Sequence, residues 1–389
     1  MKPLTLLEWL CLIAVLSGAV FNLLCLWAVA RFRLRPAPKP LNVWPPVSIL
    51  KPVYGLEKSQ RENLLSACLQ DYPEFEVIFS LQRRNDPALS VLTELEREFG
   101  PDRVKVIVDE QRPGANGKIN NLAGGLPHAR YDLLVISDSD VRLEPGYLKQ
   151  IVAPLCDPRI GFVCTPYKVA QARRWFEKLE LLSLNADFMP SVVFANETGA
   201  SLFCLGASIA LRRTTLDEIG GIASLADYLV EDYELGRRIV EDRGLRGLLV
   251  MPVVDTMVDL HTPAQWWKHQ VYWDQNTRSA RPLAFFCTLV IRSVPGALLF
   301  AVLQGFAPLG LTVLAATLAI RLLTAGVVMG WGLGDREGVR ALHLLPLRDL
   351  VGMLSWLFAF TWRRTTWRGS EFMLTRDGRL VAKGSASGD

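Results

Sequence analysis

Ser137-Asp138-Ser139-Asp140 follows directly on the apolar run that begins at Tyr131. Two carboxylates at i and i+2 on a short turn can hold a divalent cation, Mg2+ or Mn2+. These hard ions take oxygen ligands and keep positions open for diphosphate oxygens. Such a cation neutralises charge on a departing nucleoside diphosphate, which is chemistry suited to a nucleotide sugar. The same four residues also read as a plain turn with helix-capping acids. Asp86, within Arg83-Arg84-Asn85-Asp86-Pro87, closes another apolar run and offers an acceptor to a base or ribose. Gly117-Lys118-Ile119-Asn120-Asn121 presents one ammonium and two amides to uracil, ribose or phosphate, or forms a solvated loop. Val230-Glu231-Asp232-Tyr233-Glu234 supplies carboxylates far along the chain. Asp232 as a general base would take the proton of an acceptor hydroxyl as it attacks an anomeric carbon. Glu231 and Glu234 read as first-turn acids favoured by the helix dipole.

These groups need a scaffold that brings distant segments to one edge. From about residue 45 to 282 the chain alternates strand-like and helix-like stretches, the pattern of an α/β domain with a largely parallel sheet. Val47 to Leu50, Phe75 to Leu81, Val104 to Val108 and Tyr131 to Ser137 read as strands, the last central because it is so apolar. Gln60 to Leu69 and Ala88 to Phe99 carry helical periodicity. In such sheets ligands bind at the carboxyl ends of the strands, where Asp86 and Asp138 would both stand. No G-x-G-x-x-G follows a strand and no Walker A sequence occurs, so a dinucleotide fold and a P-loop are poorly supported.

The chain has 389 residues, half of them apolar, with 43 basic against 39 acidic residues and a mean hydropathy of +0.21. That excludes a disordered tail or a short disulfide scaffold and places part of the chain in a bilayer. Seven cysteines without a C-x-x-C pair read as reduced, mostly buried thiols. Trp9 to Ala30 is 22 residues without a charge, long enough to cross about 30 Å of hydrocarbon. Arg31, Arg33, Arg35 and Lys39 follow it, so the positive-inside rule puts the next segment in the cytoplasm. Leu283 to Gly334 reads as a hairpin of two spans turning near Pro308 and Gly310, in which Arg292 and Arg321 must snorkel or face a protein groove. Leu350 to Trp362, at 13 residues, reads as interfacial or re-entrant, and Arg336 to Arg348 as a loop. The expected organisation is an anchor at 1–35, a catalytic domain at 45–282 with an interfacial segment near 262–282, a membrane region at 283–362 and a basic cytoplasmic tail at 363–389. Trp266 and Trp267 suit an interfacial aromatic belt, and Trp273 a wall for acceptor or sugar. Leu181 to Phe194 either lines the lipid's access route or is plain core. Gly206, within Phe203 to Ser208, permits close backbone approach near the acceptor.

Several of these motifs together carry a family likeness. Leu50-Lys51-Pro52, Asp71-Tyr72-Pro73, Asp86-Pro87-Ala88, Lys118 to Leu122, Asp138-Ser139, Ala195 to Gly199, Glu231-Asp232-Tyr233 and Trp367-Arg368-Gly369 are all present. On them the sequence resembles the ceramide glucosyltransferases of glycosyltransferase family 21 and the related bacterial hopanoid-associated glycosyltransferases. The resemblance implies a GT-A catalytic domain, Rossmann-like and similar to that of family 2, with membrane helices at both ends. It implies an inverting transfer from a UDP-sugar to a lipid hydroxyl on the cytosolic leaflet, with Asp86 contacting the nucleotide, Asp138 the metal, and Asp232 acting as base. The acceptor is then ceramide with UDP-glucose, or a hopanoid with UDP-N-acetylglucosamine. An inactive membrane protein that binds lipid or nucleotide is the reading from another class. Where the family usually shows Q/R-x-x-R-W, this chain has His269-Gln270-Val271-Tyr272-Trp273, so His269, Arg278 or Arg281 would have to replace the missing Arg. The implied partners are the UDP-sugar, the lipid and the bilayer, and no nucleic acid.

Overall fold

A computed structural model of the chain describes residues 3–200, 204–361, 364–367, 370–375 and 379–382. The chain divides into two compact units. One comprises residues 36–167, 201–259 and 364–389, and the other 1–35, 168–200 and 260–363.

The first unit is built on a seven-stranded sheet. Its four leading strands, β1 (Val47–Pro52), β2 (Phe75–Leu81), β3 (Val104–Val108) and β4 (Leu133–Ser137), are parallel in the order β3-β2-β1-β4. Val47 stands opposite both Phe75 and Leu133, and Ile49 opposite both Val77 and Val135. Every residue of β1 and β2 is buried, because helices cover both faces of a parallel sheet and leave no solvated side to alternate toward. Beyond β4 the direction reverses. Ser208–Arg212 runs antiparallel to β4 and to Ile160–Cys164, and Arg246–Leu249 completes the sheet. The start of Ser208–Arg212 therefore lies on the same edge as the ends of β1 to β4. Helices α2 (Gln60–Cys68), α3 (Leu89–Phe99) and α4 (Gly117–Gly125) connect the parallel strands. In α3, Leu92 and Leu95 are buried at the i, i+3 spacing that puts them on one face.

The second unit is helical. The helix α1 (Leu6–Arg33) has 28 residues, about 42 Å at roughly 1.5 Å per residue. Thr5 caps its start, its hydroxyl accepting from Glu8 N while Glu8 Oε2 accepts from Thr5 N at 2.7 Å. Among the described residues three helices are long and apolar enough to cross a membrane: Leu6–Arg33, Pro308–Gly332 and Leu342–Phe360. A fourth span results if Pro282–Ile291 and Ser293–Leu303, bent by 46°, count as one.

Four expectations from sequence change here. Residues 168–200 and 260–282, read from sequence as part of one domain at 45–282, group with the apolar helices of the second unit. The hairpin turns at Gly305 and Phe306, both with positive φ, and Pro308 opens the following helix, where its missing N–H costs nothing. The loop expected at Arg336 to Arg348 is largely helical, and the last apolar helix thereby starts at Leu342 and reaches 19 residues. Trp266 is 6% exposed, packed with Phe176 and Leu179, so it is core and not part of an aromatic belt. All seven cysteines are free, five of them buried. Phe203, Arg363, Arg368, Gly369, Arg376 and Lys383, which the sequence reading placed near the acceptor or in the tail, lie outside the described residues.

Candidate active site

The carboxyl edge of the parallel strands gathers most of the singled-out acids of the first unit. Asp138 to Asp140 form the turn that leaves β4, and Asp138 N donates to Ala207 O at 3.1 Å. Lys51, the penultimate residue of β1, is fully buried under this turn. Its ammonium donates to Asp138 O at 2.7 Å and Val141 O at 3.0 Å, bracketing the D-S-D segment from below. Burial brings Lys51 down to about 8, against the pull of Asp140 and Asp138. Asp140 Oδ2 accepts from Thr256 Oγ1 at 2.8 Å, and Ser139 Oγ donates to Glu57 Oε2 at 2.7 Å.

The second element is α4. Asn116 caps it, its Oδ1 accepting from the N–H groups of Lys118 and Ile119 while its Nδ2 donates to Tyr228 O and Glu231 Oε2. That cap ties α4 to the segment preceding the helix Glu231–Arg237. Lys118 projects into the space between them. Its Nζ lies 2.7 Å from Asp138 Oδ1 and 3.1 Å from Glu231 Oε1, and donates to Gly206 O at 3.1 Å. Burial works against the Lys118 charge, but Asp138, Glu231 and Asp232 outweigh it and hold the ammonium well above its ordinary pKa.

Asp232 completes the cluster. Tyr233 N donates to its Oδ1 at 2.8 Å. A methyl built on Gly206 would stand 2.7 Å from its Oδ2, so this backbone approach needs glycine. Burial first, and Glu231 next, push Asp232 up to about 7, while Lys118 pulls the other way. Burial likewise pushes Asp138 up to about 6 against Lys118. Both carboxyls therefore sit near neutrality, where a group can release and accept a proton at working pH.

The carboxyl groups of Asp138, Asp140, Glu231 and Asp232 outnumber the ammonium groups of Lys51 and Lys118 that they face. The donors are all oxygen, and two carboxylates leave open positions, so a hard divalent cation fits by charge and ligand type. Among the described residues no three His, Cys, Asp or Glu side chains converge on one point, so its remaining ligands would come from water or a bound diphosphate.

Other predicted residues are held differently. Asp86 is buried, its oxygens accepting from Gly55 N at 3.1 and 3.0 Å and from Ala88 N at 2.9 Å, which pins two loops together at the end of β2. Asn120 bonds the N–H and carbonyl of Gly114, and Asn121 Nδ2 donates to Val53 O, so both amides shape the edge. His269 and Trp273 belong to the helical unit. There Trp273 Nε1 donates to His269 Nε2 at 3.0 Å, and His269 Nδ1 lies 3.0 Å from Glu180 Oε1. Arg278 lies over the Phe360 ring and Arg281 donates to Ala200 O.

With this geometry in view, the profile of glycosyl transferase family 21 matches residues 10–380. The chain belongs to glycosyl transferase family 21. Ceramide glucosyltransferase 1 of Caenorhabditis elegans is 28% identical over 242 residues, covering 60% of this chain and 51% of the relative. Ceramide glucosyltransferase of Komagataella phaffii is 36% identical over 113 residues, 28% of this chain and 22% of that one. The chain thus spans about half the length of the C. elegans relative it matches. A mannosyltransferase from Pyrobaculum calidifontis, solved in complex with GDP-Man and Mn2+, is similar at TM-score 0.54 and 19% identity, covering 91% of this chain and 99% of that one. That likeness speaks to the fold, which is the GT-A architecture expected from the sequence.

For this family 21 chain, sequence reasoning gave no role to three groups. Lys51 was visible as a lone cation at the end of an apolar strand, a position that demands a buried partner. Glu231 was taken for an ordinary first-turn acid, yet it holds Lys118 and Asn116. Tyr167 is 7% exposed, and burial first, with the charges of Asp232, Asp138 and Asp140 after it, raises its phenol pKa. Nothing in the sequence links it to them.

Proposed function

We propose that this chain is a membrane-bound inverting glycosyltransferase that moves glucose from UDP-glucose to a hydroxyl of ceramide. The observation that carries the reading is Asp232: a half-buried carboxyl pushed up to about 7, held beside Lys118 and Asp138 at the carboxyl edge of the sheet. Family membership and the names of the relatives agree with it.

In this reading Asp232 Oδ2, on the side of Gly206, accepts the proton of the acceptor hydroxyl as its oxygen bonds to the anomeric carbon. The bond from that carbon to the diphosphate oxygen breaks, and its electron pair leaves with UDP. Attack opposite the leaving group inverts the anomeric centre. Lys118, freed from Asp138, offsets charge on the departing diphosphate, and Lys51 keeps the Asp138 to Asp140 turn in place. Asp138 and Asp140 would hold Mg2+ or Mn2+, which supplies Lewis-acid stabilisation of the leaving group when bound. Asp86, Asn120 and Asn121 support the loops that receive the nucleotide. The first unit faces the cytoplasm, as the basic residues after α1 favour.

Purified protein in detergent, given UDP-glucose, ceramide and Mg2+ or Mn2+, is expected to release UDP and form hexosylceramide identified by mass spectrometry. Asp232→Asn should retain UDP binding and lose about 10²- to 10⁴-fold in turnover. Equal turnover by parent and variant refutes the base, and absence of UDP binding by both refutes the transferase.

A further inference from the structure

The first unit includes residues 364–389, which sequence marks only as part of a basic tail. Arg364–Trp367, Ser370–Leu374 and Leu380–Ala382 form an antiparallel three-stranded sheet, with Ser370–Leu374 in the middle. Thr375 N donates to Arg379 O at 3.0 Å and Arg379 N to Thr375 Oγ1 at 2.9 Å, which closes the turn into the last strand. The next amide points away from this sheet. Leu380 N donates to Asp227 O at 2.7 Å. Arg379 pairs with Tyr228 as an antiparallel bridge, donates from Nη2 to Tyr228 Oη at 3.2 Å, and sets its guanidinium 5.2 Å from the ring centroid. Leu380 is buried, so the tail is packed here and does not merely touch.

The strip that the tail grips, Ala226 to Tyr228, is gripped on another side by the loop that enters α4. Asn116 N donates to Ala226 O at 2.6 Å, Ala115 N to Asp227 Oδ1 at 3.0 Å, and Asn116 Nδ2 to Tyr228 O at 2.9 Å. A methyl built on Gly114 would stand 2.5 Å from Asp227 Oδ1 and 2.7 Å from Ala226 C, so the two segments are in close contact.

Beyond the strip comes Asp232, in the first turn of the helix Glu231–Arg237. That helix has seven residues, and Val230 at its N-cap gives its free amides no side-chain acceptor. A short helix without its own cap takes its starting position from the chain that enters it, and that chain is the strip. Arg238, just past the helix, lies 5.4 Å from the Tyr228 ring centroid. Tyr228 therefore carries two guanidinium groups, one from the tail and one from the far end of the segment that bears Asp232. The loops assigned to the nucleotide are pinned by other bonds, Asp86 to Gly55 and Ala88, and Asn121 to Val53.

We propose that the C-terminal strand is a positioning element for the base: Arg379 and the Leu380 amide fix Ala226 to Tyr228 and so set where Asp232 stands beside Gly206. The proposal rests on the reading of Asp232 as base. Its test is UDP release by the full-length protein in detergent with UDP-glucose and ceramide, with UDP affinity and the thermal midpoint measured alongside. Misplacing a catalytic group by about 1 Å costs on the order of 10²-fold, and loss of one of the two anchors is expected to move Asp232 by less, so Arg379→Ala should lower kcat about 10-fold. KM for UDP-glucose and UDP affinity should stay within about twofold of the parent. Arg379→Lys, which keeps a cation at the Tyr228 ring, should recover most of the lost kcat. Leu380→Pro removes the N–H given to Asp227 O while leaving its carbonyl, and should show the same split between kcat and KM. Tyr228→Leu removes the group through which Arg379 acts, so adding Arg379→Ala to it should change kcat less than about twofold. Unchanged kcat in both Arg379→Ala and Leu380→Pro, a loss of UDP affinity in step with kcat, or full additivity of Arg379→Ala with Tyr228→Leu would overturn the proposal. The reading of Asp232 fails separately, when Asp232→Asn turns over as the parent does.

Discussion

Replacing Gly206 by alanine tests the placement of the base with the smallest possible change. The added methyl would stand 2.7 Å from Asp232 Oδ2 and 3.3 Å from its Cγ, where ordinary contact begins at 3.4 Å. The carboxylate must retreat by about 0.7 Å, because the other side of the methyl is fixed by backbone that Lys118 grips through Gly206 O. Asp232 Oδ1 is held by Tyr233 N, so the retreat turns the carboxylate instead of translating it freely. Misplacement of a catalytic group by about 1 Å costs on the order of 10²-fold, so kcat is expected to fall roughly 10- to 100-fold. Gly206 has no positive φ, and therefore alanine brings no backbone strain of its own. The assay is UDP release at saturating UDP-glucose and ceramide, with UDP affinity and the thermal midpoint measured in parallel. Gly146→Ala, where an added methyl meets nothing within 4 Å, is the control and should match the parent. Turnover of Gly206→Ala within twofold of the parent, at unchanged UDP affinity, would refute the claim that Asp232 Oδ2 works at this spot.

Four further outcomes follow from the structure. Asp232, pushed up to about 7, must be ionised to accept a proton, so kcat/KM should rise about tenfold per pH unit below that value and level above it; a flat profile from pH 6 to 8 contradicts the assignment. Asp138 and Asp232 are both raised, so protonation favours the fold: without divalent cation their contribution to stability is complete below roughly pH 4 and is lost as pH climbs through about 6 and 7, which thermal melts across that window should register. Lys51→Met removes the buried ammonium that donates to the carbonyls of Asp138 and Val141, at about 1–3 kcal/mol, and should lower the thermal midpoint and weaken Mn2+ binding followed by electron paramagnetic resonance. Arg321→Leu leaves Asp349 and Asp187 in the helical unit with Arg348 as their remaining cation and is expected to cost up to about 3–5 kcal/mol, part of which Arg321→Leu with Asp349→Leu should restore; denaturant melts in detergent measure both.

Much of the framework was legible because it follows from local pattern. The apolar strands β1, β2 and β4 stood out as uninterrupted runs, and parallel strands buried on both faces must look that way. The long apolar helix α1 announced itself by its uncharged length and the flanking arginines. Membrane boundaries read less well. The last apolar helix was judged by its uncharged stretch alone, yet Arg348 and Asp349 lie within it because they satisfy one another and Arg321 inside the unit. Trp266 was assigned to an interface by composition, although its ring is packed against Phe176 and Leu179. Residues 168–200 and 260–282 group with the apolar helices, although neither segment is apolar enough to declare it.

The sequence by itself determined that acids stand at strand ends, that a lysine and a capped helix follow β3, and that apolar helices bracket the domain. Each is a matter of residue type and short-range spacing. Tertiary structure alone decided which of those groups meet. Lys118 bridges Asp138 and Glu231, 93 residues apart, because α4 and the helix Glu231–Arg237 are tied through the Asn116 cap. Gly206 admits Asp232 because the antiparallel strand starting at Ser208 returns to the edge that the parallel strands leave. Contact between residues so distant along the chain depends on how strands are ordered, and no local pattern encodes that order.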